Sequence, residues 1–140
     1  MNKKYERYIN YIVNDIEAPY FTNMKDNYGL KDNEYELVLS KLYDQPVTIE
    51  FNGVYDTNGN EIYYEDSNGN WEKNQYNTNG NVIYYENSNG YWTKREYDTN
   101  GNVIYFETSN GDWEKFEYDN QGKIIYREDS DGEIIDNRYE

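Results

Sequence analysis

A fixed period of 21 residues governs the chain from about residue 50 onward. Tyr55, Tyr76, Tyr97 and Tyr118 fall in step, as do Gly59, Gly80, Gly101 and Gly122. A second glycine set follows at Gly69, Gly90, Gly111 and Gly132. Trp71, Trp92 and Trp113 keep the same beat, with Ile134 in the fourth place. Self-similarity of this length marks a supersecondary unit stacked on copies of itself, which constrains architecture far more than function.

Each unit reads turn, strand, turn, strand. Val82-Ile83-Tyr84-Tyr85-Glu86 is a short run of β-branched and aromatic residues, which favour strands. Asn87-Ser88-Asn89-Gly90 turns it back, and Trp92 to Tyr97 forms the return strand. Asp98-Thr99-Asn100-Gly101 then turns again, with glycine where a positive φ is required. A strand about every ten residues is the spacing of an antiparallel meander. Alternation sends Ile62, Ile83, Ile104 and Ile125 to one face, with Tyr64, Tyr85 and Phe106 two places on. Tyr63, Tyr84, Tyr105 and Tyr126 go to the other, followed by Glu65, Glu86, Glu107 and Glu128. Both faces therefore carry aromatics.

Residues 1–46 carry no repeat. Tyr5, Tyr8, Ile9, Ile12, Val13 and Ile16 recur at helical spacing, which predicts an amphipathic helix stopping before Pro19. A loop rich in Asn, Asp and Gly follows, from Thr22 to Gly29. Asp32 or Asn33 is suited to cap a second helix with Tyr35, Val38, Leu39 and Leu42 on one face. The expected fold class is α+β: a small N-terminal helical segment, 1–46, then an antiparallel β-meander of four 21-residue hairpin repeats, 47–140. The helices are the natural cover for one sheet face or for the first edge strand.

Charge narrows the choice of partner. The formal net charge is −15. Residues 51–140 hold 7 basic and 19 acidic residues, against 6 and 9 in residues 1–50. Such a chain repels nucleic acid and anionic membrane and is complementary to a basic protein surface. There is no Cys and no His, which removes thiolate chemistry, the commonest metal ligand and the commonest general base. The basic start is followed by a stretch broken at Asn10, Asn14 and Asp15, so neither a signal h-region nor a membrane span is expected, and the expected location is cytoplasmic. Tyr is the dominant aromatic, with 19 copies, while Leu, Val and Ala are scarce, so stability is expected to lean on Tyr and Trp faces and on sheet pairing.

The stretches Tyr55-Asp56-x-x-Gly59-Asn60, Tyr97-Asp98-x-x-Gly101-Asn102 and Tyr118-Asp119-x-x-Gly122 resemble the YD repeat of Rhs and teneurin-type proteins. Tyr76-Asn77 departs by one amide. The resemblance covers about residues 50–140 and implies β-hairpin ribbons, which in large relatives wind into a hollow shell around a toxin. Some relatives have been linked to carbohydrate or cell-surface contact. Four repeats are too few to enclose cargo, so the hairpin geometry is what the resemblance carries here. The Tyr- and Gly-rich beat also resembles, more loosely, choline-binding cell-wall repeats.

Four chemistries suit residues of these types. Asp129-Ser130-Asp131-Gly132-Glu133-Ile134 resembles a calcium loop, yet Gly132 at the sixth position puts Arg127 and Arg138 where carboxylates are required. Turn chemistry explains it better, and neither metal nor cofactor is expected. The repeated Glu65, Glu86, Glu107 and Glu128 read as a solvated row, with no singular pair for glycoside hydrolysis and no sign of an enzyme. Trp92 and Trp113 with Tyr84 and Tyr105 form either a stacking platform or the core of a thin sheet. The glutamate row would suit a Lys- and Arg-lined groove. The leading expectation is a non-catalytic inhibitor that occupies the nucleic-acid-binding surface of a partner, such as a CRISPR effector, in the manner of phage or mobile-element anti-defence proteins. A YD-type surface or carbohydrate-binding module and an immunity protein or antitoxin are the alternatives. Self-association through the last strand, near residues 133–139, is also open.

Overall fold

The protein is described from a computed structural model covering residues 3–139, with side chains from Glu6 onward. The side chain of Tyr5 lies outside the described residues. Helical elements come first: α1 (Lys3–Asp15), α2 (Tyr20–Asn23), a π-helical turn (Met24–Tyr28) and α3 (Asp32–Leu42). Ten strands follow: β1 (Thr48–Glu50), β2 (Gly53–Tyr55), β3 (Glu61–Glu65), β4 (Trp71–Tyr76), β5 (Val82–Asn87), β6 (Trp92–Tyr97), β7 (Val103–Thr108), β8 (Trp113–Tyr118), β9 (Ile124–Asp129) and β10 (Ile134–Asp136). Their order in the sheet is their order in the chain, an antiparallel meander. The chain forms two compact units, residues 1–72 and 73–140.

The first unit holds the apolar core. Ile9, Ile12 and Ile16, spaced three and four apart, bury one face of α1. Tyr20, Met24, Leu30, Val38, Leu39, Val47, Val54, Ile62 and Tyr63 complete it. Tyr8, expected on that face, is exposed. The stretch from Thr22, expected as a loop, is helical up to Tyr28, and Gly29 ends it at φ 59. The reason is non-local. Pro19 offers α2 no side-chain cap, and β3 supplies one instead. The Tyr63 hydroxyl accepts the Tyr20 N–H at 3.1 Å. The Glu65 carboxylate accepts the Phe21 N–H at 3.0 Å and the Thr22 N–H at 3.2 Å. These are the donors that a helix start leaves without an intrahelical partner.

α3 begins one residue earlier than its expected caps: Lys31 is the N-cap and Asp32 is already helical. The Glu34 carboxylate reaches back to the Lys31 N–H at 3.0 Å, the return half of a capping box. Glu36, on the same helix, accepts the Ile49 N–H at 3.0 Å. A helix side chain thereby occupies a donor of edge strand β1, which is the cover expected for that edge.

The second unit is built differently. Among the described residues its buried ones are Thr93, Thr108 and Asp129, and the buried hydrophobic side chains all lie in the first unit. Its strands are held by pairing, turns and stacked half-buried side chains. The Asp98 turn shows the plan. Gly101 N–H donates to the Asp98 carbonyl and Asp98 N–H to the Asn102 carbonyl, enclosing a three-residue loop. Asp98 Oδ1 accepts the N–H groups of Asn100 and Asn102, both at 2.9 Å. Gly101 sits at φ 86, a left-handed conformation that side chains resist. The repeating tyrosine fastens the preceding strand: Tyr97 donates to the Val82 carbonyl and Tyr118 to the Val103 carbonyl, each at 2.6 Å. Bulges at Glu96/Tyr97 and Glu117/Tyr118 then offset the register.

Candidate protein-binding face

Strand alternation and register bring seven of the eight sequence-derived residues onto one face of the second unit. Glu86 stands opposite Trp92 and Tyr84 opposite Lys94. Lys94 also faces Glu107, which in turn faces Trp113. Tyr105 stands opposite Lys115, and Lys115 opposite Glu128. The bulges make equivalent residues step two strands across and two places along: the line from Tyr84 through Lys94 meets Glu107, not Tyr105. The ladder is therefore oblique.

Glu65 does not belong to this face. It is 3 % exposed, in the first unit. Its carboxylate also accepts the Thr22 hydroxyl at 2.6 Å and the Tyr63 hydroxyl at 2.8 Å. Four donors fill its acceptor positions, and the group is structural.

The expected solvated row is also modified. Glu86, Glu107 and Glu128 are half-buried. Tyr105 donates to Glu107 at 3.3 Å and Tyr126 to Glu128 at 2.9 Å. The phenols respond to this setting. Burial first, then the Glu86 and Glu107 carboxylates, push Tyr84 and Tyr105 above the usual phenol value. For Tyr126 the hydrogen bond to Glu128 is the largest cause of a shift in the same direction. The Lys94 ammonium lies 4.8 Å from the centre of the Trp92 ring and that of Lys115 5.0 Å from Trp113, within cation–π range. The face is thus a mosaic of aromatic, negative and positive groups. Sequence reasoning passed over Lys94, Glu96, Lys115 and Glu117, although the alternation Trp-x-Lys-x-Glu carried them.

Two open depressions repeat at this spacing. One, of about 600 Å³, is lined by Tyr84, Lys94, Glu96 and Tyr97 among others. The other, of about 400 Å³, involves Tyr105, Lys115, Glu117 and Tyr126. The calcium-like segment is a turn of the kind described above. Asp129 Oδ1 accepts the N–H groups of Asp131 and Glu133 at 3.0 and 3.1 Å, and Oδ2 pairs with Arg127 at 3.1 Å. Those oxygens are occupied by the turn amides and by Arg127.

The first unit has a cleft of its own, about 960 Å³, lined by Phe21, Tyr35, Ile49 and Phe51 together with Lys25, Asp32, Glu36 and Asp66. Phe51 sits in the two-residue loop between β1 and β2, with Glu50 facing Gly53. It is 90 % exposed and at φ 51. A bulky residue in that conformation costs about 1–2 kcal/mol. Gly53 beside it has a packing reason: a Cβ there would meet the Tyr55 ring at 3.0 Å.

No protein-family model matches the chain. No curated protein matches it either. Among solved structures it is similar to the Photorhabdus luminescens Tc holotoxin pore carrying the mutation TccC3-D651A, with 16 % identity and a TM-score of 0.37. The match covers 68 % of this chain and 6 % of that one. A score of that size does not establish a common fold.

Proposed function

We propose that this chain is a non-catalytic binding protein whose second unit docks on a basic surface of a partner protein, a surface that otherwise holds nucleic acid. The observation that carries this reading is the gathering of Glu86, Glu107 and Glu128 with Tyr84, Tyr105, Trp92 and Trp113 on one face. Carboxylates supply steering toward Lys and Arg, and half-buried aromatics supply contact area at small entropic cost. Lys94 and Lys115 set the spacing of negative charge and favour a partner whose basic groups are discrete. Inhibition of a CRISPR effector or a similar defence nuclease in the host cytoplasm is the concrete form of the proposal. Among the described residues no helix is long and apolar enough to cross a membrane.

We also read the 21-residue units as YD-type hairpins. Supporting this, the geometry gives each motif position a task. The tyrosine fastens the preceding strand, the Asp or Asn closes the turn, and the Gly takes the left-handed residue. The two tyrosine-lined depressions favour a second reading, a module that stacks sugars.

Capture from host lysate at low salt and at roughly 0.5 M salt separates these readings, since high salt screens charge and leaves stacking largely intact. The proposal expects basic, nucleic-acid-binding proteins retained at low salt only and displaced by added DNA or RNA. Retention of glycans at both salt levels would favour the second reading. A lone toxin as captive would favour an immunity protein.

A further inference from the structure

We infer that the cleft of the first unit is a guanidinium-binding site, with Phe51 as its stacking wall, that takes an arginine side chain of a partner protein. This rests on the reading above that the partner is basic, and it adds a contact separate from the sheet face. Three independent features converge. The first is shape: an open space of about 960 Å³ is large enough for an extended peptide segment carrying a long side chain. The second is charge: four carboxylates line it beside Lys25. Since Glu65 and Asp66 are already engaged by hydrogen bonds from the chain, Asp32 and the Glu36 oxygen not bonded to Ile49 are the ones left to meet a guanidinium. The third is Phe51, an aromatic ring 90 % exposed and held at φ 51 by a loop where glycine would be at ease. Exposure and backbone strain in one aromatic residue serve no packing purpose within the unit, and strained residues cluster at ligand clamps. Phe21 and Tyr35, edge-to-face at 5.9 Å, supply further aromatic lining.

Arginine fits this environment better than lysine. Its planar guanidinium stacks on a ring while its N–H fork reaches carboxylates, and it is more weakly hydrated than an ammonium. Lysine offers charge without the plane.

The test uses the full chain and two synthetic peptides of equal length and charge, one with arginines spaced by Gly and Ser, the other with lysines in the same places. Binding is followed by the amide resonances of Thr22, Tyr35, Phe51 and Asn52. The arginine peptide is expected to bind about tenfold tighter and to shift these four amides. Phe51→Gly, which relieves the φ strain, should melt no lower than the native chain and lose the arginine preference. Equal affinity for the two peptides, shifts confined to other residues, or an undiminished preference in Phe51→Gly would overturn the inference. The sheet-face proposal fails separately. If Glu86→Gln/Glu107→Gln/Glu128→Gln abolishes partner capture while neither peptide reaches the cleft, the sheet reading stands and the cleft reading falls. If the triple substitution leaves capture intact while the arginine peptide fills the cleft, the cleft reading stands and the sheet reading falls.

Discussion

Glu65 and Glu86 occupy the same phase of the repeat and do opposite things. Glu65 ties β3 to the start of α2 through four hydrogen bonds, while Glu86 is half-buried opposite Trp92. Glu65→Ala leaves the buried Tyr63 hydroxyl and three part-buried donors without their acceptor, so a loss of about 2–3 kcal/mol is expected in urea unfolding. Glu65→Gln, which keeps one acceptor oxygen, should cost less. Glu86→Ala should fall within about 0.5 kcal/mol of native, as surface changes usually do. Periodicity alone could not separate these two glutamates, because the difference comes from a helix 43 and 44 residues away. Phe51 was equally hidden: its letter is unremarkable, and only its exposure and left-handed backbone single it out. The candidates Tyr84, Tyr105, Trp92 and Trp113 were legible because period-2 alternation is a local rule.

At the scale of the element, the turn is the unit that can be tested. Thr108 opens a turn of the same backbone form as Asp98, since Gly111 N–H donates to its carbonyl. Its hydroxyl, however, is buried without a hydrogen-bond partner. Asp66, Asn87 and Asp129 fill the matching place in the other repeats and accept two amides each. Thr108→Asn should restore those bonds and raise stability by about 1 kcal/mol, measured by thermal or urea unfolding. The turn carboxylates also give stability a pH dependence. Hydrogen bonds from Asn102 hold Asp98 below the usual carboxylate value, and those from Lys123 and Gln121 do the same for Asp119. A depressed folded-state value means stability that is fully present above the unfolded value, about 3.9, and is lost as pH falls through the folded one. Unfolding midpoints should therefore drop below about pH 4. Asp98→Asn, which copies the natural Asn77 turn, should keep its stability at neutral pH and lose less of it in acid. Turn positions and the strand between them were readable from Asn, Asp and Gly alone. The helical course of residues 22–28 was not, because its cap comes from β3.

At the scale of the whole chain, the two units divide the work unevenly. Among the described residues every buried hydrophobic side chain lies in the first, whereas charge is shared almost equally: residues 1–72 hold 6 basic and 14 acidic groups, net −8, and residues 73–140 hold 7 and 14, net −7. Most of the first unit's charge comes from the repeat residues 51–72, which hold five acidic and no basic groups, so the acidic character follows the repeats into both units. The 21-residue period announced a meander, and the meander is what forms, because each hairpin is specified by its own turns and pairs with its sequence neighbour. The grouping of the helices with the first strands had no such local signal. It depends on Tyr63, Glu65 and Glu36 reaching across the fold. The most direct measurement is the dependence of partner affinity on salt, for the native chain and for Glu86→Gln/Glu107→Gln/Glu128→Gln. A steep fall in affinity with rising salt, made shallower by the triple substitution at unchanged melting temperature, is the predicted result. A flat salt dependence, or an identical slope in the two proteins, would contradict it.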